Sequence, residues 1–478
     1  MELSDWQYET VRNEKPREIA ARILVRHAQG EGWAEHLLEA ELARPGVMLS
    51  PADRGLAQEL VFGVVRWQAT LDWLIRRRTD NRQQKLTLLV LLRLGLYQIF
   101  WLDRIPDHAA VNESVELARQ LGCGPQSGFI NAILRGCLRE RDTLKRELLD
   151  LRRTDPALGW SHPQWLCDRW RARWGDANLQ LFLEWNNRPP PTFIRVNRLK
   201  ATPEELAAAF EKESVLFTPR PLDWAGNDLV FELREHPPLA TLESFRKGFF
   251  YVQDPSTLLA PMLLDPQPGE TVLDLCAAPG GKTTFIAQLM QNRGRILAHD
   301  SDPKRLALVQ ENATRLGVTN TECLAANVGQ ASSLTVHGAS VPRVSSGRMP
   351  PEPADKMSAP QLQTRSETLP PVDRVLVDAP CSNTGVMRRR VELRWRVTPE
   401  EIERLRKLQL DLLHRAAAVV KPGGVIVYST CSVEPEENSQ LIEGFLKAHP
   451  EFRLEQERQL TPFQDKVDGA YVAKIAKA

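Results

Sequence analysis

The sequence predicts a multi-domain chain made of an all-α bundle, a small α+β module and a Rossmann-like α/β domain. Three observations predict it. Residues 1 to about 145 carry apolar positions at helical spacing. Short alternating runs enter after Pro189-Pro-Pro191. From about 241 onward, apolar strand runs alternate with helical stretches, the pattern of a parallel sheet with crossover helices. The expected domains are therefore 1–145, 146–240 and 241–478.

In the first region Ser50-Pro51-Ala52-Asp53 supplies an N-cap, a proline at the first helical position and an acid in the first turn. Leu56, Leu60, Val61, Val64 and Val65 then mark one apolar face. Leu86 to Leu102 is apolar nearly all round and reads as a central buried helix, and the amphipathic stretch from Pro106 ends before Gly122. In the middle region a helical stretch with Trp160, Trp165, Trp170 and Trp174 precedes strands at 192–197 and 228–232. At that spacing the tryptophans are read as packing rather than as stacking platforms. In the third region strands are expected at 271–276, 295–300, 321–326, 373–378 and 424–430, and helices at 281–291, 303–316, 398–420 and 435–448. Residues 329–370, rich in Ser, Pro, Gly and Gln, read as a disordered insert on which no chemistry depends.

At 478 residues the chain is too long for one ordinary core. Charged residues make up 26% and no apolar run is long enough to span a bilayer, so no membrane association is expected. The N-terminus lacks a basic leader followed by an apolar core, and a cytoplasmic, monomeric protein is expected. Seven scattered cysteines do not form a disulfide framework, and no Cys-x-x-Cys pair suggests zinc, so no metal is expected. A net charge of +1 decides little about partners, because a nucleic-acid enzyme needs only a local basic track. Of the local clusters (Arg76 to Arg78; Arg169, Arg171 and Arg173; Arg388, Arg389 and Arg390 with Arg394 and Arg396), only the last adjoins a candidate site.

That site is read from strand ends. Cys381, in Asp378-Ala-Pro-Cys-Ser382, and Cys431, in Ser429-Thr-Cys-Ser432, each follow an apolar run, which puts both thiols at carboxyl ends of one sheet, where doubly wound folds bind ligands. The segment Ala278-Pro-Gly-Gly-Lys-Thr-Thr284 follows another strand. It fails the Walker pattern, because Cys276 stands where the first glycine belongs, and it lacks the dinucleotide glycine spacing. Adjacent glycines still permit close main-chain approach, and the next helix aims its free amides at a ligand. S-adenosylmethionine suits such a turn. Asp300, at the end of the next strand, is placed for ribose hydroxyls, and Asp302 for capping a helix that opens at Pro303. Methylating carbon 5 of cytosine requires a thiolate on carbon 6, a base, an acidic group near N3 and a nearby methyl donor. Two thiols and one cofactor turn match that need, though the residues alone leave open which thiol attacks.

The segments Cys276-Ala-Ala-Pro-Gly-Gly-Lys282, Asp378-Ala-Pro-Cys-Ser-Asn-Thr-Gly-Val386 and Tyr428-Ser-Thr-Cys-Ser-Val-Glu-Pro-Glu-Glu-Asn438 resemble the signature motifs of the RsmB (Sun/Fmu) family of RNA cytosine-5 methyltransferases, in the Nol1/Nop2/Sun superfamily. Ala52-Asp-Arg-Gly-Leu-Ala-Gln58, Leu91-Leu-Arg-Leu-Gly-Leu-Tyr-Gln98 and Phe129-Ile-Asn-Ala-Ile-Leu-Arg135 resemble a NusB-like RNA-binding domain. The likeness is expected to cover nearly the whole chain except 329–370. It implies a Rossmann-like, S-adenosylmethionine-dependent enzyme acting on 16S rRNA, at cytosine 967, with transfer RNA as an alternative substrate and a non-catalytic antitermination factor as an alternative class. By motif position it implies Cys431 as nucleophile, Cys381 as the residue that assists adduct breakdown, and Asp378 beside the cofactor and the base. Cys276, Ala277, Ala278, Pro279, Gly280, Gly281 and Lys282 form the implied cofactor turn, with Asp300 on the ribose. Where the family has an acid that contacts adenine, this chain has Asn327, whose carbonyl oxygen still accepts a hydrogen bond. Arg388, Arg389 and Arg390 are expected to clamp RNA phosphates near the thiols.

Overall fold

The computed structural model describes residues 15–44, 47–325 and 369–478. Asn327 and nearly all of 329–370 lie outside the described residues. The chain divides into two compact units: one gathers the residues up to Arg188 together with Met387–Arg396, the other Pro189–Val386 with Val397–Ala478. The division at Arg188 falls inside the 146–240 stretch.

The first unit is helical. Ser50 caps the helix Pro51–Arg66 by accepting from the Asp53 amide at 3.1 Å, as its sequence foretells. The helix Leu86–Trp101 buries twelve of its residues and forms the centre of the bundle. Trp170 is fully buried, with its ring 4.7 Å from that of Phe182 in an edge-on arrangement, so it serves packing. Met387–Arg396 belongs to this core. Arg394 is fully buried and donates to the carbonyls of Arg66 (3.3 Å), Ser161 (3.1 Å) and Asn186 (3.0 Å) and to Asn187 Oδ1 (2.8 Å). Among the described residues no carboxylate meets it, and burial holds its pKa well below the usual guanidinium value. The Trp395 indole donates to the Val65 carbonyl at 2.8 Å, and the Ala34 amide donates to Glu392 at 2.6 Å.

The second unit contains two sheets. A four-stranded antiparallel sheet has the order β2-β3-β1-β4, where β1 is Thr192–Val196, β2 Leu216–Pro219, β3 Val230–Glu235 and β4 Phe250–Val252. The larger sheet contains β5 (Thr271–Asp274), β6 (Arg295–Asp300), β7 (Thr321–Ala325), β8 (Val372–Asp378), β9 (Val420–Thr430), β10 (Phe452–Leu460) and β11 (Ala470–Lys477). Its order is β10-β11-β9-β8-β5-β6-β7, with β5 to β9 parallel and the last two strands antiparallel. The chain steps outward from β5 to β6 and β7, then returns to place β8 on the other side of β5. The switch point where a Rossmann-like sheet opens its crevice therefore lies between the carboxyl ends of β5 and β8. Apolar clusters that include Val272, Phe285 and Ile286 on one side, and Val375, Leu413 and Phe445 on the other, bury the sheet. Among the described residues, no helix is long and apolar enough to cross a membrane.

Candidate active site

The cofactor turn runs from the end of β5 into the helix Gly281–Leu289. Gly280 adopts φ +102°, and a Cβ there would stand 3.1 Å from Val309 Cα; one on Gly281 would stand 3.0 Å from the Tyr251 ring. The need for glycine at both positions arises first from the protein's own packing. The Ala278–Pro279 peptide is cis. From β1, the fully buried Arg195 donates to the Gly281 carbonyl and to Gln253 Oε1, both at 2.8 Å, and to Thr284 Oγ1 at 3.1 Å. Burial among these neutral acceptors pulls its pKa down to about 9. The small sheet is thereby tied to the turn. This link was not legible, because its acceptors are chiefly neutral oxygens far away in sequence.

Three carboxylates end the strands around the turn. Asp300, 3% exposed, accepts from the amides of Ala278 (3.2 Å) and Asp302 (3.1 Å), so it braces the turn it faces. Asp302 caps the helix Pro303–Leu316, as its position suggests. Asp378 receives Lys282 Nζ at 2.6 Å and Ser429 Oγ at 2.8 Å. Burial pulls the Lys282 ammonium down, and the Asp378 carboxylate more than restores it, leaving its pKa raised. Asp274, at the end of β5, was not singled out from the sequence. It is 1% exposed; its Oδ2 accepts from Thr283 Oγ1 at 2.7 Å, and among the described residues no hydrogen bond of normal geometry reaches its buried Oδ1. Burial pushes its carboxyl up to about 7, against the Thr283 hydrogen bond. An orphaned acidic oxygen beside glycine-rich backbone fits a cationic ligand such as the α-ammonium of S-adenosylmethionine. Asp300 keeps lone-pair capacity for a ribose. Cys276 is half-buried, and burial holds its thiol well above the usual range.

The two thiols meet. Cys381 Sγ lies 3.3 Å from Cys431 Sγ, and Cys431 Sγ lies 2.8 Å from Asn383 Oδ1. Contact with Cys431, reinforced by burial, holds the Cys381 thiol well above its ordinary value. Cys381 is 7% exposed whereas Cys431 is half-buried, which leaves Cys431 the more accessible sulfur. Fully buried Glu437 stitches the two loops: it accepts from the Ser382 amide (2.9 Å) and hydroxyl and from Gln409 Nε2 (2.9 Å), and its own carbonyl accepts from the Tyr428 hydroxyl (2.7 Å). Burial keeps its carboxyl above the usual range despite these donors. The Gly385 amide donates to the Cys431 carbonyl at 3.0 Å, and a Cβ on Gly385 would stand 2.5 Å from the Gly469 oxygen and 2.8 Å from the Cys431 oxygen.

All the described residues expected at the site stand at this sheet edge except the arginines. Arg388 is 2% exposed, with its guanidinium 4.0 Å from the Trp185 ring centroid inside the helical unit, so its side chain is packing and not an open phosphate clamp. Arg389 and Arg390 are half-buried in the same segment. The sequence places Arg388 next to the Cys381 loop but gives no sign of its aromatic partner, which lies 203 residues earlier (388 − 185). Among the described residues, no group of three His, Cys, Asp or Glu is placed to hold a metal.

Comparison with known proteins accords with this geometry. A family model described as 16S rRNA methyltransferase RsmB/F matches residues 261–345 and 354–476, reaching into the stretch expected to fall outside the likeness. The NusB family matches 14–139, and a ferredoxin-like domain of RsmF/B-like methyltransferases matches 162–225. A probable ribosomal RNA small subunit methyltransferase B of Bacillus subtilis is 33% identical over 438 residues, 91% of this chain and 89% of the relative. Ribosomal RNA small subunit methyltransferase B of Yersinia pseudotuberculosis is 36% identical over 442 residues, 90% of this chain and 92% of the relative. A methyltransferase homolog from Pyrococcus horikoshii, 29% identical, superposes with a TM-score of 0.53 over 68% of this chain and 98% of its own. With both cysteine loops, the cofactor turn and the NusB and ferredoxin-like parts accounted for, the chain belongs to the RsmB/F family of ribosomal RNA small-subunit methyltransferases.

Proposed function

We propose that this chain transfers a methyl group from S-adenosylmethionine to carbon 5 of a cytosine in 16S rRNA, through a transient bond between Cys431 and carbon 6. The observation that carries the reading is the pair of thiols 3.3 Å apart beside the Lys282–Asp378 pair. An RNA-binding factor without chemistry has no use for them.

Bound S-adenosylmethionine supplies an electrophilic methyl on a sulfonium. Asp274, Asp300 and the turn 276–282 would hold it. Cys431, as thiolate, adds to carbon 6 and drives the electron pair of the 5,6 double bond onto carbon 5, which takes the methyl group and leaves a neutral thioether. Asp378, fixed by Lys282 and Ser429, accepts from the amino group of the base. Once Cys431 is bonded to carbon, its sulfur no longer adds to the burial that keeps Cys381 protonated. Cys381 then loses its proton to water and accepts the proton of carbon 5; the double bond re-forms and Cys431 leaves as thiolate.

Bisulfite sequencing of ribosomal and transfer RNA from a strain lacking the protein tests the reading. The expected result is loss of one 5-methylcytosine from 16S rRNA, at the cytosine 967 that the family resemblance implies. Loss from transfer RNA alone would move the substrate, and no loss in either would leave a non-catalytic factor.

A further inference from the structure

The methyl-transfer chemistry leaves one cavity on the helical unit without a use. It is an open recess of about 360 Å³ between the helix Gln68–Arg78, the turn after it and Leu158, lined by Trp73, Arg76, Arg77, Asp80, Asn81 and Leu158. Trp73 is half-buried and carries the Arg77 guanidinium 5.0 Å from its ring centroid, while Arg77 is also paired with Glu147. Arg76 is different: it is exposed, its Nε donates only to the Asp72 carbonyl at 3.3 Å, and no carboxylate among the described residues meets it. Arg82 and Lys85, exposed on the same connection, likewise have no carboxylate partner among the described residues.

Asp80 and Asn81 both adopt left-handed backbone, at φ +47° and +59°. The Asn81 amide donates to the Arg76 carbonyl at 3.1 Å and the Arg82 amide to the Thr79 carbonyl at 2.8 Å, which pins that turn. Neither side chain makes a hydrogen bond to any described residue. Both side chains are exposed and solvated, and the pinned left-handed turn fixes where they stand at the edge of the cavity, within reach of a ligand.

We propose that this cavity binds one unstacked nucleotide of single-stranded RNA, a second contact beyond the base that is methylated; the proposal rests on the RNA reading above. The base lies against Trp73 and Leu158, Asp80 and Asn81 meet its polar edge, and neighbouring phosphates meet Arg76, Arg82 and Lys85. An acidic peptide would satisfy the same cations but would be repelled by Asp80 and would leave the indole unused. A carboxylate only accepts hydrogen bonds: the cytosine amino group offers it a hydrogen that points away from the ring acceptors, whereas the N3–H of uracil lies between two carbonyl oxygens that repel it, so the cavity favours cytosine over uracil.

The test is fluorescence anisotropy of the full chain with fluorescein-labelled oligocytidylate, oligouridylate and a duplex of equal length, with melting curves for each variant. Oligocytidylate should bind more tightly than oligouridylate. Trp73→Ala should weaken it about tenfold with an unchanged salt slope, and Trp73→Phe should restore most of the loss. Arg76→Gln should lower the salt slope by about one. Should Trp73→Ala fail to fold, Asp80→Asn, at an exposed position, serves instead and should erase the preference for cytidylate. The proposal is overturned by unchanged affinity in folded variants, by equal losses on duplex and single strand, or by loss of binding only to assembled small-subunit particles, which would assign the cavity to a protein. Absent 5-methylcytosine with these binding differences intact would refute the enzymatic reading and spare the cavity. Normal methylation with insensitive binding would do the reverse.

Discussion

Replacing Asp274 by Asn should change the pH response of both folding and cofactor binding. In the cofactor-free protein, burial sets the Asp274 carboxyl at about 7 against an ordinary value of 3.8, a difference of 3.2. At ~1.36 kcal/mol for each pH unit, keeping this group ionised in the empty site costs about 4 kcal/mol, an upper bound in order of magnitude. Its folded-state value exceeds the unfolded one, so between about pH 4 and pH 7 the folded protein holds a proton that the unfolded chain has released. The stability linked to that proton is present below about pH 4 and is lost as the pH rises past about 7. Asp274→Asn keeps the shape and the Thr283 contact and removes the titration, so the cofactor-free variant should gain stability on the parent as the pH rises from 5 to 8. A cationic ammonium beside Oδ1 favours the ionised form. S-adenosylmethionine binding to the parent should therefore release up to one proton near pH 6.5 and tighten toward pH 8. Titration calorimetry in two buffers of different ionisation enthalpy reads that proton directly. Equal proton release in Asp274→Asn and parent, or affinity independent of pH in the parent, would refute the assignment of Asp274 to the ammonium.

Gly385→Ala should cost roughly 1–3 kcal/mol and reduce methylation more than tenfold, because its Cβ meets the Gly469 and Cys431 oxygens. Gly444→Ala, in open space within the helix Ser439–Ala448, should be neutral or slightly stabilising by thermal denaturation. Arg394→Met should destabilise the helical unit by several kcal/mol, since four buried acceptors lose their donor at about 1–3 kcal/mol each and partly relax. For the same reason, removing residues 1–145 should not leave a healthy C-terminal enzyme. It strips partners such as Arg66 and Val65 from a segment that begins one residue after the Cys381 loop, and the exposed segment should aggregate on purification. Lys282→Met leaves Asp378 held by Ser429 alone, and kcat should fall at least tenfold with RNA affinity unchanged in a filter-binding assay.

That the two cysteine loops, the turn 276–282 and Asp300 share one sheet edge was legible because each follows an apolar strand and such strands end at one edge. The caps at Ser50 and Asp302 were legible because capping is local. What stayed hidden depends on distant partners. β10 reads Phe-Arg-Leu-Glu-Gln-Glu-Arg-Gln-Leu, with a largely exposed middle, and becomes a strand only by pairing with β11. Asp274 looks like any acid ending a strand until its orphaned oxygen is seen. Arg394 sits in a basic run noted in the sequence only for adjoining the site, and its burial depends on carbonyls more than two hundred residues away.

The central claim is a covalent step carried by Cys431 and released with the help of Cys381. Single-cysteine variants incubated with S-adenosylmethionine and radiolabelled 16S rRNA, then run on denaturing gels, test it most directly. Cys381→Ala should accumulate a protein–RNA adduct that survives denaturation, whereas Cys431→Ala should give neither adduct nor 5-methylcytosine. An adduct in Cys431→Ala and none in Cys381→Ala would reverse the two roles, and turnover by Cys431→Ala would contradict the covalent mechanism altogether.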